Sequence, residues 1–222
     1  MEHKRLTLFA GHYGSGKTNI AVNYALSLAK EGKKVCIADL DIVNPYFRTK
    51  DSEKELSEAG IHLVSPQYAN SNVDLPALPA ESYRLVQDKS TFGIMDIGGD
   101  DRGAYALGRF ADAIKAENDY RMAFVVNCYR PLTSTVEDAV EIMREIEAAS
   151  GLKFNCIVNN SNLGPETTPE TILDSLDFVN KLSRETKLEV WMHTAESSVA
   201  KSVSGLSVFP MVLQRKIFDL PD

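Results

Sequence analysis

The sequence predicts an α/β protein: a mostly parallel central sheet of about seven to eight strands, with helices on both faces. Three observations carry this reading. Short apolar runs alternate with helix-period segments across the 222 residues. Several runs are apolar at consecutive positions, as in Ala123-Phe124-Val125-Val126, which is how a strand covered on both faces reads. A glycine-rich loop joins the first apolar run directly to the first helical segment.

In chain order, the expected strands are Leu6–Ala10, Lys34–Asp39, Ile61–Val64, Phe92–Asp96, Met122–Asn127, Phe154–Asn159, Leu188–His193 and Val208–Leu213. The first helix is expected over Lys17–Glu31. Its polar residues Asn19, Asn23, Ser27 and Lys30 form one narrow stripe, and Gly32 is its stop. A second clear helix covers Thr135–Ala149, with Val136, Val140, Met143 and Ile146 at helical spacing. Ser134 with Glu137 reads as its capping box, and Gly151 ends the unit. Further helices are expected at Asp51–Ala59, Ala80–Asp88, Gly103–Glu117 and Pro169–Glu185. Ser65–Pro79 is the longest loop. No linker, repeat or low-complexity run divides the chain, so residues 1–222 read as one domain.

Composition narrows the function. Apolar residues at 44% and charged residues at 25% are ordinary globular usage. A formal charge of −7 disfavours a general nucleic-acid or anionic-membrane binder. No run of about 18 apolar residues is present, so no spanning helix is expected. The start, MEHKRLTLFAG, reads as a first strand and not a signal peptide. Cys36, Cys128 and Cys156 are far apart, each in a strand-like run. They read as buried, reduced thiols of a cytoplasmic protein, and no CxxC or CxC pair suggests an iron–sulfur cluster.

The strongest motif is Gly11-His12-Tyr13-Gly14-Ser15-Gly16-Lys17-Thr18, which matches G-x-x-x-x-G-K-[ST] between a strand and a helix. Glycines let the backbone fold with its N–H groups turned inward as an anion nest, and the following helix adds positive partial charge. Lys17 would reach the β- and γ-phosphates, and the Thr18 hydroxyl would ligate Mg²⁺. Asn19 continues the motif into the helix. A second feature is Asp39-Leu40-Asp41 at a strand end, where two carboxylates at i and i+2 share one side. The third is Asp96-Ile97-Gly98-Gly99-Asp100-Asp101 after an apolar strand, the Walker B form. Its glycines would let backbone approach a γ-phosphate.

These three motifs together resemble the MinD/ParA branch of P-loop NTPases, with its CobQ/CobB-type domains, nitrogenase iron protein, ArsA and CooC. The resemblance is most convincing over residues 6–160. It implies the P-loop NTPase fold, bound ATP and Mg²⁺, and slow hydrolysis without a partner. It implies that Asp41 orients the attacking water, with Lys17 as its catalytic partner, and that Asp39 and Asp96 are magnesium-side carboxylates beside Thr18. Gly99 would approach the γ-phosphate. Asn159 and Asn160 look like the base-recognising position, with Asn160 the better match, and His193 stands near it.

One departure is instructive. The family's early loop lysine, which reaches a dimer partner's phosphates, is replaced by His12, followed by Tyr13. Arg48, Arg102 and Arg130 are candidates for the missing charge. Two outcomes therefore stay open. One is a nucleotide-dependent switch or accessory ATPase with a protein client and an ATP-dependent homodimer. The other is a small-molecule kinase or ATP-dependent ligase resembling dethiobiotin synthetase or CobB-type enzymes. The loops Asp41–Arg48, including Asn44, and Gln67–Asp74 are expected to carry specificity. The N-K-x-D guanine code is absent at Asn159–Asn162, which favours ATP. No cluster, DNA or membrane partner is indicated.

Overall fold

The computed structural model of the protein describes residues 3–41, 49–65, 80–99 and 101–214; the side chains of Ala80, Asp101 and Arg102 lie outside that description. Within it, eight strands form one sheet: β1 (Leu6–Ala10), β2 (Val35–Leu40), β3 (His62–Val64), β4 (Phe92–Ile97), β5 (Tyr120–Val126), β6 (Cys156–Asn159), β7 (Glu189–Glu196) and β8 (Val208–Met211). Their order is β3-β2-β4-β1-β5-β6-β7-β8, and every pairing is parallel. The eight expected strands are all present, most with ends moved by one to three residues.

The helices are α1 (Lys17–Lys30), α2 (Glu53–Glu58), α3 (Arg84–Gln87), α4 (Asp101–Gly108), α5 (Ala111–Glu117), α6 (Val136–Ser150), α7 (Pro169–Thr186) and α8 (Ser197–Ala200). They cover both faces. Ile20, Tyr24 and Leu28 of α1 and Leu56 of α2 pack with Phe9, Ile37 and Val125 on one side. On the other, Leu107, Ile114, Val140, Met143, Val179 and Leu182 from α4 to α7 pack against Leu8, Met95 and Phe124. Covering on both sides is what the consecutive apolar positions require: β1, β2 and β6 are buried at every residue.

Three local expectations need correction. The cap of α6 is Thr135, whose Oγ1 accepts from Asp138 N at 3.1 Å. Ser134 instead donates to Pro131 O, closing the preceding turn. Gly103–Glu117 is two helices rather than one: the chain turns at Arg109-Phe110, which seats Phe110 in the core against Tyr83. The segments expected to be helical from Asp51 and Ala80 begin as 3-10 turns, Thr49–Ser52 and Ala80–Tyr83.

The polar stripe of α1 has a purpose that its spacing alone did not show. Asn23 accepts from Val212 N at 2.8 Å and donates to Val212 O at 2.9 Å. Asn19 Oδ1 accepts from Gln214 N at 2.9 Å. Strand β8 therefore stops at Met211, because the Val212 backbone groups bond to an asparagine amide instead of a ladder.

The topology positions the site. Strand β1 lies between β4 and β5, so the chain reverses its direction of travel across the sheet there, and the loop after β1 sits in the crevice at the carboxyl edge.

Candidate functional site: the phosphate loop and its carboxylates

Residues Gly11–Gly16 link β1 to α1, and the loop curls back on itself. Ser15 N donates to His12 O at 3.2 Å. Gly16 sits in the left-handed region at φ 89° as it enters α1. A Cβ there would lie 2.2 Å from Asn160 Nδ2. Lys17 is buried and folds over the loop, donating from Nζ to His12 O at 3.2 Å. The His12 ring bonds through Nδ1 to Tyr13 O at 3.0 Å. Tyr13 is exposed.

Strands β2 and β4 bring the carboxylates in. Asp39 and Asp96 are register partners, so the two stand side by side at the strand ends. Both are buried. Asp39 Oδ1 accepts from Asp41 N at 3.0 Å and so shapes the chain that carries Asp41. Asp96 Oδ2 accepts from Thr49 Oγ1 at 3.0 Å. Its Oδ1 is buried with no hydrogen-bond partner among the described residues. Burial pushes the Asp96 pKa up to about 6; the Lys17 charge and the nearby Thr18 and Thr49 hydroxyls oppose this, and the Asp41 charge adds to it. An orphaned carboxylate oxygen beside the Thr18 hydroxyl fits a divalent cation. Among the described residues no three His, Cys, Asp or Glu side chains form a metal cage. That donor set suits Mg²⁺, which keeps waters and phosphate oxygens in its shell.

The loop after β4 packs directly on the phosphate loop. A Cβ on Gly99 would lie 2.6 Å from Tyr13 N and 3.0 Å from Lys17 Nζ. A Cβ on Gly98 would lie 3.3 Å from Asp41 Oδ1. The motifs at Gly11–Thr18, Asp39-Asp41 and Asp96–Gly99 thus converge on one place.

The two asparagines at the end of β6 separate. Asn160 is buried under the phosphate loop: Nδ2 donates to Ser15 O at 2.6 Å and Oδ1 accepts from Thr194 Oγ1 at 2.6 Å. Asn159 bonds elsewhere, through Nδ2 to Ser175 Oγ at 2.8 Å and His193 Nδ1 at 3.1 Å, while its Oδ1 accepts from Ser161 N. Asn159 thus faces Ser175 and His193, while Asn160 faces the phosphate loop. His193 is likewise held by Asn159, and burial lowers its pKa. The Asn19 side-chain oxygen accepts from Gln214 N.

Thr49, Thr194 and Gln214 escaped the sequence reading. Gln214 Nε2 donates to Ser52 Oγ at 2.7 Å, which ties the end of β8 to the turn that carries Thr49. The polar stripe on α1 was the one available signal for this strap. Cys36 and Cys156 are buried, and burial raises their thiols to about 11 and about 12. Cys128 is only half-buried, because β5 ends two residues before it. Arg48, Asn44, the Gln67–Asp74 loop and the Arg102 side chain lie outside the described residues.

A parallel sheet whose first strand passes through a glycine nest into a helix, with an aspartate-ended strand alongside, defines a P-loop NTPase. The family signature of CbiA, the CobQ/CobB/MinD/ParA nucleotide binding domain, matches residues 6–162. The chain belongs to that family. No curated protein matches the sequence significantly. Among solved structures, cell division protein FtsY from Thermotoga maritima aligns with TM-score 0.60 at 15% identity, covering 86% of this chain and 61% of that one. Signal recognition particle 54 kDa protein from Aeropyrum pernix K1, in complex with GDP, aligns with TM-score 0.58 at 16% identity, covering 86% and 41%. FtsY from Elizabethkingia anophelis gives TM-score 0.56 at 16% identity, covering 94% and 63%. The chain thus spans between two fifths and two thirds of their lengths, and these likenesses are of fold.

Proposed function

We propose that this chain is a single-domain, cytoplasmic ATPase that binds Mg²⁺·ATP and acts as a nucleotide-dependent switch or accessory ATPase for a protein client. The observation that carries the reading is the buried, unpartnered Asp96 Oδ1 beside Thr18 and Lys17, at the mouth of the glycine nest. Thr18, Asp39 and Asp96 would hold the magnesium, directly or through water. The ion supplies charge neutralisation at the β- and γ-phosphates. Loop amides from Tyr13 to Thr18 and the Lys17 ammonium cradle the phosphate chain. Asp41 orients a water in line with the γ-phosphorus. Gly98 and Gly99, packed on Asp41 and Tyr13, report whether that phosphate is present. Positioning and electrostatics supply most of the rate in such chemistry.

ATP is favoured over GTP by the chemistry near Asn160. Asn159-Asn160-Ser161-Asn162 offers amides and a hydroxyl but no carboxylate to accept from guanine N–H groups. Titration calorimetry with ATP and GTP, with and without Mg²⁺, tests the reading. Mg²⁺-dependent ATP binding that is lost in Lys17→Ala is expected. Equal or tighter GTP binding would reassign the base, and binding indifferent to Lys17 would remove the reading.

A second reading has one specific support. His12 replaces the lysine that would cross a dimer, so a small acceptor could take the γ-phosphate instead of water. ATP consumption that depends on an added small acid or amine would select it.

A further inference from the structure

We propose that Arg130 is the second cation of the phosphate site, donating to the β–γ end of the bound triphosphate from the open side of the loop. The assignment rests on the nucleotide-binding reading above. A Cβ placed on Gly14 would meet Arg130 Nε at 3.8 Å and, its chain neighbours aside, no other atom of the described residues within 4 Å. The guanidinium therefore borders the loop at Gly14, between Tyr13 and Ser15. Lys17 covers the same loop from within.

The base of this arginine is fixed while its tip is exposed. Arg130 N donates to Asn127 O at 3.1 Å, and Arg130 O accepts from Thr133 N at 3.0 Å. Thr133 Oγ1 also donates to Asn127 O, at 2.7 Å. Tyr129 is pinned at both ends, through its N–H to Asn127 Oδ1 and through its hydroxyl to Thr171 O at 2.8 Å. Pro131 follows and holds Arg130 extended, at φ −96° and ψ 136°. The side chain is exposed and makes no ion pair with a described residue. A built turn thus presents an arginine at the rim of an anion nest.

Charge balance gives it work. Magnesium-bound triphosphate keeps a net negative charge, and Asp39, Asp41 and Asp96 add to it. Lys17 supplies one positive charge from the protein. His12, at the position of the family's lysine, has its ring on Tyr13 O. An arginine fork suits two phosphate oxygens at once. During hydrolysis water forms the new bond to the γ-phosphorus as the bond to the β–γ oxygen breaks. That oxygen leaves on ADP with the electron pair, and the water proton leaves with inorganic phosphate or to solvent. Arg130 meets the charge that grows on the leaving oxygen.

Calorimetry on the full chain with Mg²⁺, using ADP and a non-hydrolysable ATP analogue, tests this in wild type, Arg130→Ala, Arg130→Lys and Lys17→Ala. Arg130→Ala should keep its melting temperature and bind ADP within about threefold of wild type. It should bind the analogue about tenfold more weakly. Single-turnover hydrolysis should fall by about 10²-fold or more, with partial rescue by lysine. Unchanged analogue affinity, or an equal loss for ADP and analogue, overturns the assignment. Failure of the nucleotide reading looks different: wild type and Lys17→Ala would then both ignore the analogue and ADP.

Discussion

Gly99 lies so close to the phosphate loop that a Cβ on it would come within 2.6 Å of Tyr13 N. Contact between these two residues couples the end of β4 to the nest after β1. Because Tyr13 N is backbone, the loop cannot yield by rotating a side chain. Gly99→Ala must therefore separate the two loops. Displacements of this size cost about 10²-fold where reacting groups must be aligned. The expected result is hydrolysis lost by about that factor, with ADP affinity nearly kept, read by single-turnover kinetics and calorimetry.

Asn160 should prove a support of the loop. Its amide carries Ser15 O, and Thr194 donates to its oxygen. Asn160→Ala leaves a buried carbonyl and a buried hydroxyl without these partners, worth about 1–3 kcal/mol of stability. Nucleotide affinity should fall about tenfold in the same variant, a loss of about 1.4 kcal/mol. Asn159→Ala should be destabilised similarly, since it frees Ser175 and His193, but should bind nucleotide like wild type. Urea unfolding and calorimetry on the pair separate the roles.

This pair shows how far the sequence was legible. The motif Asn159-Asn160 could be placed at the carboxyl edge from the sequence, since turn composition and strand order put it there. Which asparagine faces the loop is a matter of strand register and the bulge between Ile157 and Val158, which a single sequence does not carry. The phosphate loop and Asp96 were legible because each rests on a local pattern of spacing. Thr49 and Gln214 act through contacts with residues far along the chain, Asp96 and Ser52, and had no local pattern to read. The break at Phe110 was hidden for the same reason: both halves keep helical propensity, and only core packing decides where the chain turns.

Asp96 sets a pH dependence. Burial raises its pKa from 3.8 to about 6 in the folded protein. The folded state therefore favours the protonated acid. Its contribution to stability is full below about 4 and lost as pH rises through about 6. Above that, Lys17 is the cation that faces the buried charge, and Mg²⁺ would add a second. Thermal unfolding of the nucleotide-free protein should show Mg²⁺ protection that is small at pH 5 and larger at pH 8. Asp96→Asn should remove both the pH step and the protection. Equal protection at both pH values would separate Asp96 from the metal.

Stability away from the site should depend on Arg5. Its guanidinium bonds to Glu117, to Leu85 O at 2.8 Å and to Thr91 O at 3.0 Å; Arg5 is buried and Glu117 half-buried. Burial alone would raise the Glu117 pKa; the bonds from Arg5 and Lys89 outweigh it and lower the value. Arg5→Met leaves Glu117 to Lys89 alone and takes a donor from Leu85 O and Thr91 O, which costs about 1–3 kcal/mol. The double change Arg5→Met with Glu117→Leu should recover part of that loss. Nucleotide affinity should be unchanged in both, because neither residue touches the loop.

Asp41 gives the experiment that separates the two functional readings. Its N–H is held by Asp39, and its carboxylate stands beside Gly98, where an arriving γ-phosphate would be felt. If it orients the water, Asp41→Ala should bind ATP normally and hydrolyse it slower by about 10²-fold or more. Trapped with Mg²⁺·ATP, a switch should accumulate in its active state. Light scattering on this variant should then show a mass of about twice 24.5 kDa with ATP and a monomer without it. Tyr13, Tyr105 and Leu132 are exposed on elements at this edge and would be covered by such a pairing. A mass unchanged by ATP, with binding verified in the same sample, would mean that the site works in one chain. Water would then compete with a small acceptor for the γ-phosphate, and the kinase or ligase reading would take precedence.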